Sequence, residues 1–346
     1  MKIWFDILTP KQILFFDPMI KKLRKKHQVL CTSRNYREVN QLAKIRKMNL
    51  IFVGRHGGEE KSDKLKASLG RMKKLTKIIK KYSPDITVSF CSPEAARISY
   101  GLGIKHIAFC DSPHAEAVMK LSIPLIDKLL IPWIIPKKEF SKYGIPANKI
   151  IIYRAIDASS IVKDKSKVTT LKKFKFPKKR SILIRLPESH AAYIKNKKIN
   201  FISIIQKILN GFPDYNILIL PRYSDQIKKL HNKFGKKIII LDRVVDNNEI
   251  FSITDVFVGS GGTMTAEAAL RGIPTISYNA VPNFVEAYLI RKGLLRSETN
   301  LNKIVPLIRK FLKLNKTKLK KKAVIELKKM EEPYFKLTDT IQSLTR

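Results

Sequence analysis

Residues 256–278 read VFVGSGGTMTAEAALRGIPTISY, and their pattern decides the fold. The apolar run Val256-Phe257-Val258 is strand-like and stops at Gly259-Ser260-Gly261-Gly262. A helix-compatible stretch follows, closes at Gly272, and gives way to a second apolar run at Ile273. Strand, glycine turn, helix and strand in so short a span make the βαβ unit of a parallel sheet. Such a turn leaves backbone N–H groups unpaired at a helix N-terminus, where an anion is stabilised. Thr263 and Thr265 place hydroxyls near that helix start. Glu267 is expected in the first turn, where its charge suits the helix dipole or faces a cleft. A tight turn holding no ligand is the plain alternative.

The same alternation extends outward in both directions. Strands are expected at 2–8, 28–33, 49–54, 85–90 and 106–111, and one at 128–132 closes the first series. Helices fall between them near 13–26, 35–47, 63–82 and 93–101. Ser83-Pro84 ends the third, because a residue before proline disfavours the α region. Residues 156–179 are polar and basic and read as an interdomain linker. A second series follows, with strands at 181–187, 215–221, 237–242, 256–260 and 275–278 and helices near 198–210, 223–234, 247–253 and 264–271. The expected fold class is α/β, with two doubly wound Rossmann-like domains whose parallel sheets face a cleft. Their bounds are 1–155 and 180–300, and basic C-terminal helices over 301–346 cross back. Ligands of such sheets bind at the carboxyl ends of the strands.

Composition narrows the classes. With 346 residues and 44% hydrophobic content the chain can bury a sizeable core. Cys31, Cys91 and Cys110 show no CxxC spacing and cannot all pair, which points to a reducing compartment and no zinc site. No basic-then-apolar leader opens the chain. The longest apolar stretch, 121–136, contains Asp127, Lys128 and three prolines, too broken to span a bilayer. A cytoplasmic protein is expected, with peripheral membrane association left open. Lys and Arg number 69 against 28 Asp and Glu, a net charge of +41. That field suits nucleic acid, anionic lipid or phosphorylated substrates, or reflects lysine filling exposed helix positions. No RNA-binding motif, finger spacing or aromatic-basic interleaving is present, which weighs against nucleic acid. The basic helices 63–82 and 308–329 carry apolar residues at helical spacing, suited to packing or to an anionic membrane surface.

The order Ser-Gly-Gly-Thr-x-Thr-x-Glu and then Gly-x-Pro, in residues 260–274, resembles the donor-nucleotide motif of GT-B glycosyltransferases. It is most similar to the N-acetylglucosaminyltransferase that makes lipid II, and similar also to the Ser-Gly-Gly loop of the UDP-N-acetylglucosamine 2-epimerases. The resemblance implies that Ser260, Gly261, Gly262 and Thr263 hold a diphosphate and that Glu267 holds a ribose. Against the epimerases Glu267 stands one position further from the glycines, so the transferase spacing fits better. DILTPKQILFFDPMIKKL, residues 6–23, with its Thr9-Pro10 turn and Pro18, resembles the first βα loop of both groups, without the transferases' glycine-rich loop. As a whole, GRHGG, SPEAARISYGLGI, DSPHAEA, LPRY and the opening motif recur in that order in an uncharacterised archaeal family grouped with these two, which the chain resembles over residues 1–290.

Further candidates lie at strand ends. Arg55-His56-Gly57-Gly58 forms a loop tip whose histidine titrates near neutrality, or is merely exposed. Glu94 follows Ser92-Pro93 and either caps a helix or serves as a cleft carboxylate. Asp111, His114 and Glu116 cluster after a strand and can make an acid–base pair. His114-Ala115-Glu116-Ala117 is similar to a His-Val-Glu-Ala-Gly run of the epimerases, in which the glutamate is catalytic. Arg185 stands where the epimerases carry a catalytic histidine, with Glu188 and His190 displaced, which weakens that assignment. Arg185 and Arg222 suit a diphosphate by their forked guanidinium, or make structural salt bridges.

The expected activity is transfer of a sugar from a nucleotide donor, UDP-N-acetylhexosamine on the resemblance, to an unspecified acceptor such as a lipid-linked one. Epimerisation at C2 is the second enzyme class, and a non-catalytic polyanion or anionic-membrane binder the third. No DxD metal signature is present and three ligands on one turn are poor metal spacing, so no cofactor is expected.

Overall fold

The computed structural model describes all residues except 59, 165, 167–169, 172, 173, 175, 188–200, 279–281 and 346. It divides into two units. The first takes Met1–Ile161 and returns from Met330 onward, and the second takes the described residues from Val162 to Lys329.

In the first unit the chain runs β1 (Lys2–Asp6), α1 (Pro10–Leu23), β2 (Gln28–Asn35), α2 (Arg37–Ile45), β3 (Ile51–Arg55), α3 (Lys61–Tyr82) and β4 (Ile86–Ser89). It continues through α4 (Pro93–Gly101), β5 (Lys105–Phe109), α5 (Glu116–Ser122), β6 (Lys128–Pro132), α6 (Lys138–Ser141), β7 (Ile150–Tyr153) and α7 (Asp157–Lys163). The sheet order is β3-β2-β1-β4-β5-β6-β7 and its neighbours pair in parallel, for example Phe5 with Cys31 and with Val88. Ile3, Trp4 and Phe5 are fully buried, as a central parallel strand covered on both faces requires. Phe15 and Phe16 of α1 meet Phe5, Phe90 and Phe109 edge-on at 5.2–5.9 Å, so the aromatic core sits directly under the start of α1. Ser83 stops α3 in the left-handed region at φ 51°, ahead of Pro84. The seventh strand corrects the expectation that 128–132 closes the series. Ile150–Tyr153 does not continue the alternation in the sequence because only the four-residue α6 precedes it, too short to show a helical period.

The second unit holds β8 (Ser181–Arg185), α8 (Phe201–Gly211), β9 (Asn216–Leu220), α9 (Ser224–Phe234), β10 (Ile239–Ile240), α10 (Asn247–Ser252) and β11 (Val256–Gly259). After these come α11 (Thr263–Leu270), β12 (Thr275–Tyr278), α12 (Phe284–Arg291), β13 (Arg296–Glu298), α13 (Leu301–Leu312) and α14 (Lys316–Lys328). The sheet order is β10-β9-β8-β11-β12-β13, again parallel. Alternate residues serve opposite faces. Ile182 and Ile184 pack with Ile304 and Ile308 of α13, while Leu183 packs with Phe251, Phe257 and Ala268 on the other side. β13 is short, polar and at the sheet edge, so it lacks the apolar run that announces a strand. The last helix, α15 (Pro333–Thr345), crosses back to the first unit and packs on β5, β6 and β7. The two parallel Rossmann-like sheets, with helices on both faces, are those expected from the sequence.

Candidate functional site

Each sheet reverses its strand order once, between β1 and β4 in the first unit and between β8 and β11 in the second. These are the topological switch points at which open α/β sheets bind ligands beyond their carboxyl ends.

In the second unit the loop after β11 is built from backbone. Gly261 and Gly262 take φ of 84° and 81°, a region costly for any residue with a Cβ. A Cβ on Gly259 would lie 2.5 Å from Thr265 Oγ1 and 2.6 Å from the Phe257 ring. The N-cap of α11 is Gly262, so no side chain caps its first amides. Gly262 is exposed and Ser260 and Thr263 are half-buried, which leaves this helix start open to an anion. Thr265 is turned inward and its hydroxyl donates to the Gly261 carbonyl at 2.9 Å.

Glu267 is corrected. It lies in the second turn of α11, because positive φ at both glycines delays the helix until Thr263. It is 1% exposed, and Asn247 Nδ2 donates to its two oxygens at 3.0 and 2.8 Å, with Arg271 at 4.0 Å. Arg185 donates to the Pro221 carbonyl at 2.9 Å and Arg222 Nε to the Leu186 carbonyl at 3.1 Å. The two arginines thus cross-tie the carboxyl ends of β8 and β9, on the edge that carries the glycine loop. Glu188 and His190 lie outside the described residues.

The first unit's switch point is built from side chains. Thr9 is the N-cap of α1 and Pro10 its first residue, so both set the helix start. Next comes Lys11, whose Nζ lies 2.6 Å from Asp111 and 2.7 Å from Asp157, and 4.3 Å from the Phe90 ring centre. Tyr153 donates its hydroxyl to Asp157 at 2.5 Å, and Ser112 donates to Asp111 at 2.8 Å. Two carboxylates share one ammonium here. Burial pushes Asp157 up to about 7, with Lys11 opposing and Asp111 adding to the rise. Burial would also raise Asp111, but Lys11 outweighs it and holds that carboxyl below its usual value. Lys11 is held above the usual lysine range by the same pair.

The clustered triad of the sequence is therefore divided. Asp111 is ion-paired, His114 stands exposed on the loop, and Glu116 is exposed with its carboxylate on Lys120 at 2.6 Å. Partial desolvation holds the His114 imidazole below the usual histidine range, with Asp111 pulling the other way. A neutral ring can accept a proton near pH 7.

Glu94 is likewise drawn into a buried network. Ser92 Oγ donates to Asp6 at 2.7 Å and to Glu94 at 3.4 Å, and Arg71 forks onto Asp6 at 2.6 and 3.1 Å, with Glu94 at 3.7 Å. Glu94 is 8% exposed, so it is a buried carboxylate as well as the first-turn acid of α4. Arg55 ends β3 and is exposed, and His56 Nδ1 accepts from the Gly58 amide at 3.1 Å. Gly57 lets α3 approach, since a Cβ there would sit 2.5 Å from Lys64 Cα, and Gly58 takes φ 75°.

Lys11, Asp157, Tyr153, Asp6 and Arg71 were not singled out from the sequence. Two signals were available. A lysine in the first turn of a helix opposes the dipole, and Arg71 is the lone arginine in a lysine-rich helix. Among the described residues no group of three or more His, Cys, Asp or Glu is placed to hold a metal, and no helix is long and apolar enough to cross a membrane.

Comparison with known proteins agrees with this architecture. Uncharacterized protein MJ0665 of Methanocaldococcus jannaschii is 27% identical over 311 residues, 88% of this chain and 89% of that one. The UDP-GlcNAc 2-epimerase of Neisseria meningitidis, solved bound to UDP-GlcNAc, superposes with a TM-score of 0.74 at 14% identity, over 99% of this chain and 100% of that one. The glycotransferase of kitacinnamycin superposes with a TM-score of 0.65 at 11% identity, over 100% and 99%. These likenesses establish the GT-B type of fold. The family described as "Protein of unknown function (DUF354)" matches residues 1–341, and the chain belongs to that family.

Proposed function

We propose that the protein binds a nucleotide sugar, UDP-N-acetylhexosamine in the first instance, and transfers the sugar to an acceptor hydroxyl. The observation that carries this reading is the open, glycine-built start of α11 at the second unit's switch point. Its amides would receive the diphosphate, assisted by Arg185 and Arg222 on the same sheet edge. Glu267, oriented by Asn247, would hold the ribose. In the reaction the bond from the sugar's C1 to the diphosphate oxygen breaks, and its electron pair leaves on the diphosphate. The acceptor oxygen bonds to C1 and gives its proton to a base. His114 suits that role because its lowered value favours the neutral ring, the form that accepts a proton, whereas Asp111 is committed to Lys11. The amides and arginines neutralise the leaving group without proton exchange.

Epimerisation at C2 is the second reading, favoured by the His114-Ala115-Glu116-Ala117 run and by the N. meningitidis likeness. The position of Arg185 in place of a histidine favours transfer. Incubation with UDP-GlcNAc and no acceptor separates the two. Formation of the C2 epimer supports epimerisation, and an unchanged sugar nucleotide that binds supports transfer.

A further inference from the structure

A cavity of about 720 Å³ lies wholly within the second unit, at the amino-terminal edge of its sheet. Ser181, Asn216, Asp255 and Pro274, at or just before the starts of β8, β9, β11 and β12, line it, so it opens on the edge opposite the glycine loop. One wall is α14, and Gly272 lets that helix approach. Gly272 ends α11 at φ 69°, and a Cβ there would lie 2.6 Å from Lys320 Cα. The volume falls within the range of small-molecule sites.

The lining has two characters. Phe251, Leu270, Ile273, Val324 and Leu327 make it apolar, and Lys179, Arg271, Lys316 and Lys320 make it cationic. Among the described residues its one carboxylate, Asp255, is already paired with Lys316 and with Arg180 at 3.4 Å and accepts from the Ser181 amide at 2.8 Å. The cations are not needed to close α11, because its last carbonyls accept from the amides of Arg271, Gly272 and Ile273. Arg271 stacks over the Phe251 ring at 5.4 Å and donates to Asn248 at 2.7 Å, yet its buried Nε has no hydrogen-bond partner among the described residues.

The surroundings repeat the pattern. Residues 301–329 carry eleven Lys or Arg and one acid, Glu326. That acid is buried and bonded to Lys329, Lys292 and Tyr288. On α14 the aliphatic Val324 and Ile325 are 49% and 55% exposed among these lysines.

A cationic rim over an apolar floor, beside exposed aliphatic side chains, matches one ligand chemistry. We propose that this cavity binds an amphiphilic anion, a phosphate head on a hydrocarbon chain. A free phosphate would leave the apolar floor unused, and a nucleic-acid strand would meet no alternation of aromatic and basic side chains. The proposal does not depend on the nucleotide-sugar reading.

Calorimetric titration with decyl phosphate below its micellar concentration, beside inorganic phosphate, tests it. Decyl phosphate is expected to bind at least tenfold more tightly than inorganic phosphate. Lys320→Glu, and separately Lys179→Glu, should each weaken it tenfold or more while melting like the parent chain, and Gly261→Ala should leave it unchanged. Equal affinity for the two phosphates would assign the site to free phosphate and overturn the proposal. So would no binding of either, or binding lost in Gly261→Ala and kept in both lysine variants.

Discussion

The two switch points of this molecule occupy equivalent places in similar sheets and are made of different materials. In the second unit the edge is backbone, two glycines at positive φ and a helix start without a side-chain cap. In the first unit it is charge, with Lys11 between Asp111 and Asp157 and Arg71 forked onto Asp6. In a chain of net charge +41, four of its 28 acidic residues gather on that first edge. The glycine turn offers amides to an anion and carries no charge of its own, with Arg185 and Arg222 fixed beside it on the ends of β8 and β9. A charged edge holds protons and orients them.

The difference is sharpest where one group is removed. Lys11→Met leaves the buried Asp157 and the half-buried Asp111 without their cation, and breaking a buried pair from one side costs up to about 3–5 kcal/mol. Urea unfolding at pH 7 should show that loss, partly restored in Lys11→Arg. A cost below about 1 kcal/mol, the scale of exposed pairs, would make the cluster a surface ion pair and dissolve the contrast.

That contrast also explains what the sequence revealed. The glycine loop was legible because its parts are consecutive, and a positive-φ turn is most readily written with glycine at the turn itself. The charged edge was not, since Lys11, Asp111 and Asp157 meet only after β1, β5 and β7 align. Asp157 stood in a stretch whose polar composition read as linker, and Lys11 was one lysine among very many. Both sheets were legible from their apolar runs, apart from β7 and the polar edge strand β13. Glu267 was read at the right place in the chain and in the wrong turn, because the second glycine's φ shifts the helix start.

On the backbone edge the expected losses are smaller. Gly261→Ala forces a Cβ into the left-handed region at about 1–2 kcal/mol, and Gly259→Ala overpacks Thr265 and Phe257 at about 1–3 kcal/mol. Equilibrium unfolding checks both, and a neutral effect of either would mean that the loop is not held as described.

The remaining effect is a slope, read per pH unit and not as a single loss. A carboxyl raised to about 7 binds its proton more tightly folded than unfolded. Asp157 therefore favours folding most below its unfolded value near pH 4, and that contribution declines as pH rises to 7, by at most about 1.4 kcal/mol per pH unit. Asp111 and Asp6, both lowered, act in the opposite sense at more acid pH. Comparing melting temperatures of the parent chain and Asp157→Asn between pH 4 and 8 isolates the effect. The variant should gain relative stability across that window, and parallel curves would contradict the raised value of Asp157.

The most direct test of the central claim is a calorimetric titration with UDP, UDP-GlcNAc, ADP and GDP, repeated on Gly261→Ala and Glu267→Gln. The account predicts preferential binding of UDP and UDP-GlcNAc, weakened at least tenfold in Gly261→Ala and to a lesser degree in Glu267→Gln. No binding of any nucleotide at millimolar concentration, or binding indifferent to both substitutions, would contradict it.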